Sequence, residues 1–136
     1  MKKSLILLSA LAFFGCANIQ NQGNEMNANK TLENGEYKIT HILDKQNNSQ
    51  YPNTGNWSIM IENNRFGMFV GCNRIFGEVQ QNNGKLIFKA PASTKMMCPD
   101  DLMKVEDLVT SSLTELDISS HSLENDKVKI TIEENK

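Results

Sequence analysis

The chain has 136 residues, 39% of them hydrophobic and 22% charged, which gives room for one globular domain. Its mean hydropathy of -0.43 excludes a polytopic membrane protein. With 14 Lys+Arg against 16 Asp+Glu and a formal net charge of -2, no positive excess is left for following a nucleic-acid backbone, so no nucleic-acid partner is expected. Three cysteines are an odd number, and in an oxidising compartment one thiol would be left over.

The leader accounts for that thiol. Lys2 and Lys3 precede an uncharged run over residues 5–14, and Gly15 stands directly before Cys16. This reads as an export signal, because the run falls well short of the ~20 apolar residues a spanning helix needs. Phe13-Phe14-Gly15-Cys16 resembles a lipobox, with Phe13 where Leu is usual. The resemblance implies cleavage before Cys16 and its acylation, a membrane attachment in which each buried methylene contributes ~0.8 kcal/mol. Ala17 in place of Asp implies sorting to the outer membrane, facing the periplasm. An ordinary cleaved secretory signal, with Cys16 a spectator, is the alternative. Residues 1–15 are thus the signal, 16–31 the lipidated cysteine with its tether, and 32–136 the folded domain. The tether is rich in Asn and Gln, with only Ile19 and Met26 as sizeable apolar groups, too little for a core.

Alternation defines the folded part. Tyr37, Ile39, His41 and Leu43 share one face of a period-two pattern, and Trp57, Ile59 and Ile61 share another, which leaves Met60 pointing away. Residues 47–55 read as a loop on turn chemistry. Asn63-Asn64 separates the Trp57 strand from an alternating run through Phe66, Met68, Val70 and Cys72, at hairpin spacing. A second hairpin pairs residues 75–80 with 85–88 around Asn82-Asn83-Gly84, and a last one pairs 118–123 with 127–133 around Asn125-Asp126. Between them, Leu102, Val105, Val109, Leu113 and Leu116 recur at steps of three and four over residues 99–116. Pro99 suits the first helical position there, and Asp100 and Asp101 suit the positive N-terminal end. The expected fold is α+β: a small antiparallel open β-barrel or curved sheet of about seven strands, with one amphipathic helix packed on it.

Gly71-Cys72-Asn73-Arg74 with Gly77, then Thr94, Met97, Cys98 and Pro99 in the Ser-Thr-Lys-Met-Met-Cys-Pro run, and Glu106 on the helix, resemble the META domain of heat-shock-inducible bacterial lipoproteins of the HslJ type. The similarity covers roughly residues 32 to 133, with Gly35-Glu36-Tyr37 where the family usually opens on Gly-x-Trp. It implies a small envelope domain linked to stress and antibiotic tolerance, with a fold similar to pilot lipoproteins of secretion systems, and it does not imply catalysis.

Read physically, Cys72 ends a strand and Cys98 sits at a helix start. An oxidising compartment would join them across a separation of 26 residues, for roughly 3 to 4 kcal/mol by the chain-entropy model. The competing possibility is a free, reactive thiolate at Cys98. Two cysteines with neither a C-x-x-C pair nor nearby histidines fall short of the four ligands zinc prefers, so no metal is expected. The methionines at 60, 68, 96, 97 and 103 suit Cu(I), but they lack repeated spacing and fill irregular cores readily. Asn73 is expected to bond its own backbone in a turn, and Arg74 either to pair with a carboxylate such as Glu106 or to face solvent. His41 reads as a satisfied core residue. No Ser-His-Asp, H-E-x-x-H or P-loop pattern occurs, so neither an enzyme nor a cofactor is expected. The expected partners are the membrane, through the acyl chains, and a protein whose apolar segment lies on the concave sheet face or in the helix–sheet cleft. A redox or metal-handling role for Cys72 and Cys98 is the alternative.

Overall fold

The computed structural model describes residues 30–135. The signal, Cys16 and the tether up to residue 29 lie outside the described residues. Among the described residues there are nine strands and one helix: β1 (Gly35–Asp44), β2 (Ser49–Pro52), β3 (Ser58–Glu62), β4 (Arg65–Val70), β5 (Asn73–Asn82), β6 (Lys85–Ser93), α1 (Asp100–Ser112), β7 (Glu115–Ile118), β8 (Ser122–Glu124) and β9 (Val128–Glu134). No helix among them is long and apolar enough to cross a membrane.

All neighbouring strands are antiparallel, in the order β2-β1-β3-β4-β5-β6-β7-β8-β9, and a further pairing of β1 with β9 closes the sheet. The expected open barrel is therefore a closed one of eight strands, with β2 alongside. Closure is possible because β1 is ten residues long and serves three partners. Its first half pairs with β3, its second half with β2, and most of its other edge with β9. β2 and β3 thus succeed each other along one edge of β1, linked by Asn53 N–H to Thr40 O and Ile39 N–H to Trp57 O. The expected loop at 47–55 contains β2, which its own turn chemistry conceals.

Two-residue turns set the register. Asn63 and Asn64 (φ 48° and 64°) join β3 to β4, while Asn83 and Gly84 (φ 49° and 73°) join β5 to β6. A positive φ at both central residues matches the right-handed twist of the flanking strands. Two bulges interrupt the ladders. Between Ile39 and His41 the β1–β9 register slips by one residue, which inverts the alternation. Tyr37 and Ile39 point inward, as expected, but beyond the bulge Ile42 and Asp44 are the buried residues. His41 is consequently not a core residue; it lies half-buried and bonds Thr40 Oγ1 and Thr131 Oγ1, both at 3.2 Å. The second bulge, in β6, inserts Ala90 (φ 45°) opposite Gly77.

The inward face carries the core. Trp57, Ile39, Ile42, Ile59, Met68, Ile75, Leu86, Leu116, Ile118, Leu123 and Ile130 are all at most 2% exposed. Alternation makes both ends of the barrel predictable from topology. The β1–β2, β4–β5 and β8–β9 turns and the connections to α1 share one end; the β3–β4, β5–β6 and β7–β8 turns and both described termini share the other. The helix lies across the first end. It is tied to the β4–β5 turn by Glu106 and to the β8–β9 turn by Asn125, whose Nδ2 donates to Ser112 O at 3.0 Å. Val105, Val109 and the C-capping Leu113 plug the core there. Pro99 is the N-cap and not the first helical residue, and the helix stops four residues before Leu116, which belongs to β7.

Candidate functional site

Two clusters deserve description on chemical grounds: the buried knot made by the motif residues, and a groove on the outside of the barrel.

The knot forms where α1 meets the β4–β5 turn. Gly71 (φ 69°) makes that turn, and a Cβ there would lie 2.7 Å from Glu106 Oε2 and 2.8 Å from Leu102 O, so only glycine fits under the helix. Glu106 is 8% exposed and accepts from Cys72 N–H at 3.2 Å and Asn73 Nδ2 at 2.7 Å. The ion pairs among the described residues join Lys45 to Glu124 and Lys85 to Glu115 and Asp117, so the Glu106 carboxylate is held by neutral donors alone. Asn73, 3% exposed, is the hub. Its Oδ1 accepts from Met96 N–H at 2.7 Å and from Thr94 Oγ1 at 2.9 Å, and its Nδ2 donates to Met96 O at 3.1 Å as well as to Glu106. The expectation that Asn73 closes a local turn is thus corrected: it clamps the linker before the helix, 21 and 23 residues away, and the helix itself at Glu106, 33 residues away. A disulfide joins Cys72 to Cys98, with Cα atoms 6.2 Å apart. Cys98 is buried and Cys72 half-buried.

The other motif residues divide. Thr94 Oγ1 accepts from Arg74 N–H at 3.0 Å and so continues the knot, and Pro99 starts the helix beside it. Gly77 faces the β6 bulge, with the site of a Cβ 3.1 Å from Lys89 O. Met97 is 95% exposed and takes no part. Arg74 does not pair with Glu106; it is exposed on the outer face.

That outer face carries the groove. Register places Met60 opposite Gly67 and Gly67 opposite Phe76, with Ser58, Phe69 and Arg74 forming the next row. Met60 and Phe76 are 46% and 49% exposed, and between them Gly67 leaves open space where a side chain would stand. The result is a groove of about 670 Å³, apolar along its walls, with Glu36 and Arg74 as its charged members. Sequence reading placed Met60 outward but missed the groove; the signal was available, since two-residue turns after Glu62 and Val70 bring positions 60, 67 and 76 into one row. The concave face, proposed from sequence as a partner site, is filled by the core and closed by α1.

A closed barrel plugged by a single helix, with a disulfide and a buried Asn–Glu pair fastening plug to wall, defines a compact β-barrel domain built around one covalent and one hydrogen-bonded clasp. The META domain family model matches residues 30–136, and the chain belongs to that family. No curated protein matches it. Two solved structures are similar. An NMR structure of a protein from Burkholderia xenovorans aligns with a TM-score of 0.62 at 16% identity, over 76% of this chain and 83% of that one. A second NMR structure aligns with a TM-score of 0.58 at 20% identity, over 75% and 90%. At such identities the likeness establishes the fold alone.

Proposed function

We propose that the protein is a non-enzymatic, lipid-anchored envelope module that holds an apolar, anionic-ended segment of a partner in the outer groove, in the manner of a pilot lipoprotein. The observation that carries this reading is the Met60–Gly67–Phe76 row. It places exposed sulfur and aromatic surface on either side of a glycine floor, beside a cationic Arg74 with no ion-pair partner among the described residues. An exposed apolar groove rimmed by charge is a common form of docking surface. The lipobox-like Gly15-Cys16 supports anchoring by acyl chains, with sorting to the periplasmic face of the outer membrane. The described chain also begins at the barrel end opposite the helix: Leu32 N–H and O bond the Gln81 side chain at 2.7 Å and 2.8 Å, next to the β5–β6 turn. The chain from an acylated Cys16 would therefore enter the domain at that end, with the groove on the barrel flank.

Anilinonaphthalene sulfonate, an apolar bicycle with one fixed negative charge, is a suitable probe. NMR titration is expected to shift the amides of Met60, Gly67 and Phe76, with weaker binding in Arg74→Gln and none in Phe76→Asp. Shifts confined to the exposed Met96–Met97 segment, or none at all, would contradict the proposal.

A further inference from the structure

We infer that reduction of the Cys72–Cys98 disulfide turns the knot into a binding site for a thiophilic divalent cation of the zinc class, with Cys72, Cys98 and Glu106 as its protein ligands. The inference goes beyond the groove and does not depend on it. The two sulfurs and a Glu106 carboxylate oxygen lie within 4.8 Å of one another. A tetrahedral zinc stands ~2.3 Å from a thiolate and ~2.1 Å from a carboxylate oxygen, which sets donor separations of about 3.6 to 3.8 Å. Cys98 Sγ lies 4.0 Å from Glu106 Oε2, close to the required separation, and once the S–S bond is cut the two sulfurs need only part by side-chain movement between Cα atoms 6.2 Å apart.

The surroundings favour the same occupant. Cys72 N–H and Asn73 Nδ2 hold the Glu106 carboxylate in place before any ion arrives. A buried carboxylate without a counter-cation is costly, and two thiolates beside it would triple the negative charge. A divalent cation offsets most of that charge. Two thiolates select a soft or borderline ion over calcium or magnesium, which prefer an all-oxygen shell. Cys72 is half-buried, so a reductant can reach it, and water can fill the fourth position. Sequence reading rejected metal because it counted two ligands; Glu106, 34 residues from Cys72, supplies the third.

The chemistry balances with a dithiol as reductant. It passes two electrons and two protons to the disulfide and itself becomes a disulfide, leaving two cysteine thiols. Metal binding then displaces both thiol protons to solvent, while Glu106 binds as the carboxylate. With Cys72 and Cys98 joined, the knot offers no thiolate and hence no site, so redox state governs its occupancy.

The test is a cadmium titration of the full chain carrying Cys16→Ser, so that Cys72 and Cys98 are its two thiols, oxidised and after phosphine reduction under argon, followed by thiolate-to-cadmium absorption in the ultraviolet and by proton release. The reduced protein is expected to bind one ion and release two protons, and the oxidised protein none. Glu106→Gln and Cys98→Ser are each expected to bind at least ~10-fold more weakly. Circular dichroism accompanies every titration; should reduction loosen the fold, cadmium must restore it. No saturable binding by the reduced protein, equal binding in both redox states, or undiminished binding by Glu106→Gln would overturn the inference.

Discussion

Replacing Asn73 by Ala removes the hub of the knot. The side chain makes five hydrogen bonds, at 2.7 Å to Glu106 Oε1, 2.7 Å from Met96 N–H, 2.9 Å from Thr94 Oγ1, 3.1 Å to Met96 O and a weak one at 3.5 Å to Cys98 Sγ. The bond to the carboxylate contributes about 1.5 to 3 kcal/mol and a neutral one about 1. The Met96 and Thr94 partners are exposed and regain water, so their loss is discounted. Glu106 is not, and keeps only the Cys72 N–H at 3.2 Å. The expected loss is about 3 kcal/mol, against a total stability of about 5 to 15. For a domain of this size that lowers Tm by roughly 12 to 24 °C. Urea denaturation under non-oxidising, non-reducing conditions, with the disulfide intact in both proteins and an unchanged slope, measures the difference. Arg74→Gln, one residue along but exposed, is the control, expected within about 0.5 kcal/mol of wild type. A loss below about 1 kcal/mol for Asn73→Ala would refute the hub role, because it would mean that water or another donor replaces the amide at no cost.

Other outcomes follow from single contacts. Gly67→Val enters open space in the groove, where a Cβ meets nothing within 4 Å, and supplies a β-branched residue to β4, so stability by thermal melt should hold or rise while binding of anilinonaphthalene sulfonate falls at least ~10-fold. Gly71→Ala forces a Cβ against Glu106 and the Leu102 carbonyl at a positive φ and should cost about 2 to 4 kcal/mol in the same denaturation assay. Asn125→Ala removes the bonds from the β8–β9 turn to Ser112 O and Glu115 O, and those its Oδ1 accepts from Lys127 and Val128 N–H, and should cost about 1 to 2 kcal/mol, with earlier hydrogen exchange in the last turn of α1. The Asn47 side chain, together with the Asn47 and Gln46 amides, holds the Asp44 carboxyl below its ordinary value. A depressed native value means the unfolded chain takes up the proton first, so this contribution is full above pH ~3.9 and fades as pH falls through the native value. The stability gap between wild type and Asp44→Asn should therefore close on acidification below pH ~3.9.

Local chemistry made much of the fold legible. The Asn-Asn and Asn-Gly turns, the inward Val128-Ile130-Ile132 run and the helix around Val105 and Val109 all follow from residue pattern. The misses have separate local causes, the first a single residue that changes phase. Thr40 enters a bulge, so His41 and Leu43 exchange faces with Ile42 and Asp44, which periodicity alone does not register. Leu113 and Leu116 continue the helical spacing by coincidence, because the first caps α1 and the second is an inward position of β7. The segment 118–123, read as one strand, is the β7–β8 turn with its flanks, where Ser119 Oγ and Ser122 Oγ lie 2.6 Å apart across the corner. The knot was visible as a motif but not as a mechanism, since the partners of Asn73 lie more than twenty residues away.

The groove is tested most directly by photo-crosslinking in living cells, with benzoylphenylalanine at position 60 or 76, and at the exposed position 117 on β7, on the far side of the barrel from β3, as the control. The account predicts a discrete adduct from positions 60 and 76, absent from 117 and abolished by Gly67→Val, while the variant remains folded and exported. Equal adducts from all three positions, or adducts that survive Gly67→Val, would contradict it.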